Sequence, residues 1–391
     1  MAGPWQKAWE RARSDASFVD LTDSRFHQNG LLPDRAVFEE SFSRWLDQRA
    51  YEPDSRGAPE ARKALRHFYG SEGWDLPEGR FFLTSGTSEA YALLFSTLAE
   101  AGDSVALPRP GYPLFEHLAS HSRLKTVFYD QPFSAGWQPD AASLEACLTP
   151  RTRFVVLISP NNPTGQVISP ETLAAVTDVC LRHNLMLVVD EVFDACWEGP
   201  GRLPRSGALF PGVKTFTLNG ISKRFGCPDL KLAWIAVSGP APWAEETGDR
   251  LELANDTFLS ANSYSQFLLP DLFTTMHPWQ NQLRRLLDEN RRTARDWMEK
   301  ETRVAGLLPR GGIHGLWRFG NLPTHWDDEA WAVELLNKDR LALHPGFFYD
   351  VQEPGVWLVY SLLKEPGAFR EGLERLAHRV SSVSTNPSAL R

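Results

Sequence analysis

At 391 residues, 42% of them hydrophobic and 23% charged, the chain has the balance of a folded globular protein with room for two or three compact units, which excludes wholesale disorder. The formal charge is 41 − 49 = −8 with no long basic run, which argues against a nucleic-acid partner. No apolar run reaches membrane-spanning length, so no membrane is expected. Cys147, Cys180, Cys196 and Cys227 show neither CxxC nor metal-ligand spacing, so no metal site is expected and they read as buried thiols in a reducing compartment.

The opening segment MAGPWQKAWERARSDASF lacks the apolar core of a signal peptide and reads as a short amphipathic helix, which makes the cytoplasm the expected compartment. From about Arg80, short apolar runs alternate with helical stretches. Phe81-Phe82-Leu83 precedes a helix near Glu89–Leu98, and Val105-Ala106-Leu107 precedes Tyr112–Ser120. Phe154–Ile158 precedes a helix over Thr172–His183; Leu185–Val189 and Thr215-Phe216-Thr217 follow. This alternation predicts an α/β fold with a mostly parallel sheet between helices. Continuous runs such as FVVLI and LMLVV fit strands buried on both faces. After Trp279 a long charged helix (QNQLRRLLDENRRTARDWMEKE) leads into a second α+β region ending near His378, and the tail from Ser381 is polar. The expected division is a large domain over 46–285 and a smaller one formed jointly by 1–45 and 286–391.

Ligands of such sheets bind beyond the carboxyl ends of the strands, so polar residues there mark candidate sites. Ser85-Gly86-Thr87 follows FFLT at a helix start, where free backbone N–H groups favour an anion. Asn161-Asn162-Pro163-Thr164-Gly165 follows FVVLISP, Asp190 ends LMLVVD, and Ser222-Lys223 follows TFTLNGI. Singly, each has an ordinary reading as cap, turn or surface residue. Jointly they supply an anion cup, an amide, a carboxylate and an amine, which suits a phosphorylated pyridine aldehyde. Two SxxK strings (Ser122 to Lys125 and Ser361 to Lys364) lack the companion motifs of serine acyltransferases. The glycines at 311, 312 and 315 lack the context of a dinucleotide fingerprint.

The order YEPDSRGAPEARKAL, SGTSEA, PRPGYP, SPNNPTG, VVDEVF, SK, PDLKLAW and HPGFF resembles class I/II aminotransferases, which are pyridoxal 5'-phosphate enzymes of fold type I, from about Leu21 to Leu376. The resemblance implies a seven-stranded-type sheet in the large domain and Lys223 as the residue that bonds the cofactor and shuttles protons. It also implies Asp190 as partner of the ring nitrogen, Asn162 on the phenolic oxygen and Tyr112 stacked on the ring. Ser85, Gly86, Thr87 and Ser222 would form the phosphate cup. Tyr51 would reach the phosphate of a neighbouring subunit, which implies a homodimer with shared sites.

Three positions depart from the family pattern. Phe193 stands where a tyrosine hydroxyl usually meets the phenolic oxygen, and Lys231 replaces a phosphate-side arginine, giving up its two-pronged grip. Val359 occupies the place of the arginine that clamps the substrate carboxylate. Arg25, in LTDSRFHQNGL, is the expected relocated clamp. Phe26, Phe347, Phe348 and Trp357 suggest an apolar side-chain pocket. The expected activity is transfer of an amino group from an amino acid or amine to a keto acid or aldehyde. A lyase or decarboxylase of the same fold remains open, as does a non-catalytic amine-sensing regulator.

Overall fold

A computed structural model describes residues 3–49, 51–199, 203–320, 322–323 and 325–383. The first strand, β1 (Val19–Asp20), is followed by seven that share one sheet: β2 (Phe81–Thr84), β3 (Ser104–Arg109), β4 (Lys125–Asp130), β5 (Thr152–Ile158), β6 (Met186–Asp190), β7 (Thr215–Gly220) and β8 (Ala233–Ser238). Their spatial order is β2-β8-β7-β6-β5-β3-β4, parallel except for β8, which is antiparallel to both its neighbours. β5, β6 and β7 are almost wholly buried, as their unbroken apolar runs require. Helices Thr87–Leu98 and Ala241–Phe258 pack on one face with Phe82, Phe154, Phe216 and Ile235, and helix Pro170–Arg182 covers the other with Val155, Leu187 and Val189.

A long helix, His277–Lys300, leads to the second unit. There β9 (Val304–Ala305), β10 (His314–Phe319), β11 (Leu341–Ala342), β12 (His344–Pro345) and β13 (Val356–Ser361) follow. β12, β13, β10 and β9 make a four-stranded antiparallel sheet, backed by helices Asp328–Asp339 and Pro366–Val383. β1 pairs in parallel with β11, Val19 opposite Leu341, so the N-terminal segment is built into this unit. Helix Arg35–Asp47, expected in the smaller domain, instead lies against helix Ser263–Thr275, where Phe42 and Trp45 meet Tyr264 and the Tyr264 hydroxyl donates to the Phe38 carbonyl. Of the polar tail, 381–383 close the last helix and the rest lies outside the described residues.

Candidate active site

A cavity of about 370 Å³ opens where β5, β6 and β7 end, walled on the far side by β10, β12 and the turn after β12. It gathers Gly86, Thr87, Tyr112, Asn162, Asp190, Phe193, Ser222, Lys223 and Lys231, nine residues that the sequence singled out. They come from five separate segments, brought together because parallel strands deliver all their carboxyl ends to one edge.

Lys223 sits in the short helix Ile221–Arg224 directly after β7. Burial holds its amine below the usual lysine range, and the Phe26 ring lies 5.7 Å from its Nζ. Asp190, the last residue of β6, is buried and accepts from the Val192 N–H at 3.2 Å and the Tyr91 hydroxyl at 3.2 Å. Burial pushes its carboxyl up to about 6, and among the described residues no cation pairs with it. Tyr91 escaped the sequence reading. Its only signal was its place one helical turn beyond Thr87, on the same face of helix Thr87–Leu98.

Among the described residues the buried Oδ1 of Asn162 has no partner. Its loop is held by Asn161, whose Oδ1 accepts from Thr164 N and Oγ1 at 3.1 and 2.9 Å. Gly165 (φ +65°) lets that loop press onto β10: a Cβ there would lie 2.5 Å from the His314 carbonyl oxygen. Gly86 caps the helix Thr87–Leu98, and a Cβ on it would stand 3.5 Å from Lys231 Nζ, inside the cup they form. That cup also takes Ser222 and the first N–H groups of the helix, an arrangement suited to an anion.

Three expected residues are not brought to the cavity. Ser85 does not line it, and its N–H donates to Glu89 Oε1 at 3.1 Å. Tyr51 is 78% exposed and does not line the cavity of its own chain. Arg25, the expected carboxylate clamp, grips Asp23 instead, with Nε to Oδ1 at 2.8 Å and Nη2 to Oδ2 at 3.0 Å. A guanidinium satisfied in this bidentate way has little left to offer a substrate. Of the four aromatic residues, Phe347 and Phe348 line a neighbouring cavity of about 280 Å³, while Trp357 is buried against Phe133 and Trp137. Conversely, Thr22, Ser24, His314, His344 and Tyr349 line the site without having been foreseen.

Behind the cavity lies a buried ion network. Arg205 bonds Glu191 and also Asp194 (3.1 Å), and Arg224 bonds Asp194 (2.6 Å). Burial alone would raise Asp194, but Arg224 and Arg205 outweigh it and hold its carboxyl below the usual range. The network thus ties the segment after β6 to the helix bearing Lys223.

This arrangement has close relatives. The family model for aminotransferase class I and II matches residues 39–358. The glutamate-pyruvate aminotransferase AlaA of Escherichia coli K12 is 28% identical over 317 residues, 79% of this chain and 77% of that protein. The alanine aminotransferase of Mycobacterium tuberculosis H37Rv is 32% identical over 311 residues, 77% of this chain and 71% of that one. The crystal structure of an aminotransferase from Escherichia coli superposes with a TM-score of 0.85 at 26% identity, covering 98% of this chain and 96% of its own. A match over most of the chain, joined to a lysine, a carboxylate and an anion cup at one sheet edge, places this protein in the class I and II aminotransferases.

Proposed function

We propose that the cavity holds pyridoxal 5'-phosphate and that the protein moves an amino group from an amino acid donor to a keto acid acceptor. One observation carries the reading. Among the described residues, a buried amine without a carboxylate partner (Lys223) and a buried carboxylate without a cation (Asp190) share a cavity with an anion cup. Each is the complement of one part of the cofactor: aldehyde, ring nitrogen and phosphate. When bound, the cofactor supplies an aldehyde that accepts the amino group and a protonated ring that draws electrons from the substrate carbon.

The chain's own residues do the rest. Gly86, Thr87, Ser222 and Lys231 hold the phosphate, and Asp190 accepts from the ring N–H. Its opposite charge is strong in so dry a place. Asn162 would donate its side-chain amide N–H to the phenolic oxygen, and Tyr112 would stack on the ring. Phe193 offers that oxygen no hydroxyl, so it stays more basic than a tyrosine at this place would leave it. Lys223, its amine held below the usual lysine range by burial, would be the residue that bonds the cofactor and that, once displaced, carries the proton to and from the substrate carbon.

Tyr51, exposed on its own chain, would serve the cavity of a second copy, so the proposed working form is a homodimer. Among the described residues no helix is long and apolar enough to cross a membrane. The names of the relatives make alanine, glutamate and pyruvate the first substrates to try. The test is single-turnover absorbance of the cofactor-loaded protein against a panel of amino acids without acceptor. Conversion of the yellow form to the aminated form, with release of the keto acid, is the expected outcome. Ammonia or carbon dioxide released with the yellow form persisting would overturn it in favour of elimination or decarboxylation.

A further inference from the structure

The wall of the cavity contributed by the second unit carries two imidazoles that the roles above leave unused. In the small sheet His344 on β12 lies directly opposite Val359 on β13, which in turn lies opposite Leu316 on β10. Opposed residues project to one face, and alternate residues along a strand share it. His314, two residues before Leu316, therefore stands on the same face as His344, with the apolar, buried Val359 in the row that separates them. Both imidazoles line the cavity.

The two rings are held differently. His314 is buried, its ring edge-on to Phe193 with centroids 6.4 Å apart, and among the described residues its Nδ1 has no hydrogen-bond partner. A buried ring nitrogen left unmet is costly, so a partner from outside the chain is expected. His344 Nδ1 lies 3.1 Å from the Tyr349 hydroxyl. With that hydroxyl donating, the ring carries its proton on Nε2. His314 feels His344 and Lys223, and His344 feels Asp20, whose Oδ1 already accepts from Thr22 N and Oγ1.

An amino acid brings a carboxylate next to its reacting carbon, and the cavity has few groups to receive it. Among the described residues no arginine lines it. Lys223 is engaged in the amine chemistry, and Lys231 belongs to the anion cup beside Gly86. We propose that His314 and His344 together receive the substrate carboxylate, as substrate-binding residues donating one N–H each where a guanidinium would donate two. This rests on the aminotransferase reading. Burial keeps both rings uncharged, at about 3 and about 4, so the grip is that of two neutral donors, weaker than a charge-assisted fork. The enzyme should accordingly distinguish an amino acid from the matching amine less sharply than an arginine would.

The experiment compares L-alanine with ethylamine, which lacks only the carboxylate, on the cofactor-loaded enzyme. If the wild type does not convert any amino acid, the aminotransferase reading fails first, and the histidines fall with it. If it does, His314→Phe and His344→Phe are each expected to lower the kcat/KM ratio of alanine to ethylamine about tenfold, mainly through KM. His314→Gln, which restores a donor, should recover part of the loss. A readout on the wild type guards against variants that fail to fold. In 15N-histidine-labelled holoenzyme, propionate should shift two imidazole resonances, one of them absent from His314→Gln. Unchanged ratios in the folded variants, or imidazole resonances unmoved by propionate, would overturn the assignment.

Discussion

Among the described residues neither Lys223 nor Asp190 has a counter-ion, which is what the proposed chemistry asks of both. Lys223→Ala should therefore cost on the order of 10²–10⁴ in turnover, read by keto acid release, with the fold retained. Tyr91→Phe removes one of two donors to Asp190, favours its protonated form and should weaken cofactor retention by up to about tenfold, measured by equilibrium dialysis. His314 and His344 titrate at about 3 and about 4, below the ordinary 6.5, so the unfolded chain binds more protons between those values. Stability contributed by these groups is present above pH 6.5 and lost as pH falls through that window. At pH 5 the loss is roughly 2 kcal/mol for each ring, and His314→Phe should flatten the profile in urea unfolding. Lys223, Asp190 and Asn162 could be picked out in the sequence because each stands at a strand's carboxyl end or a few residues beyond it, within a short local motif. His314 and His344 could not, because only the register of β10, β12 and β13 puts them on one face. Arg25 misled for the opposite reason: its partner, Asp23, stood two residues away, and the pull of a local carboxylate was overlooked.

At the scale of elements, the strand–helix alternation from Arg80 to Thr217 was read from apolar runs, and the structure follows it to within a few residues. β4 and β8 received no assignment. β4 lies at the sheet edge, so only some of its residues are buried and its pattern is weak. β8 runs antiparallel beside β2, a pairing that no local signal announces. Helix Ser263–Thr275 carries Pro270 in its interior, which argues against a helix until its packing with Arg35–Asp47 and Pro59–Ser71 is seen. The ion network ties two of these elements together behind the site. Arg205→Met would leave Glu191 and Asp194 buried with one cation, Arg224, on Asp194 alone. A loss of about 3–5 kcal/mol is expected by denaturant unfolding. In the wild type, Asp194 is held below its ordinary value, so its stabilisation is present above about pH 4 and disappears as pH falls through its lowered value.

At the scale of the whole molecule, the segment with Tyr51 is fastened to the end of helix Ala241–Phe258, where Ser260 Oγ donates to the Asp54 carbonyl and Arg56 pairs with Glu252. Leu253, Phe258 and Leu259 are exposed in this same region. Light scattering should give twice the chain mass, and Tyr51→Phe should weaken cofactor binding without changing that mass, because it removes a hydroxyl and keeps the ring. A monomer of full activity would refute the shared-site reading. The pairing of β1 with β11 has a consequence for synthesis. Val19 waits for Leu341, and the cavity formed by Gly86, Asn162 and Lys223 waits for His314 and His344 to wall it. A ribosome-bound chain that has already laid down the parallel sheet is therefore a vessel with one side missing, its anion cup open to any phosphate in the cell. On the proposed reading the substrate carboxylate finds its two imidazoles only after the last strands are laid down, and a chain terminated before His314 should not turn over an amino acid.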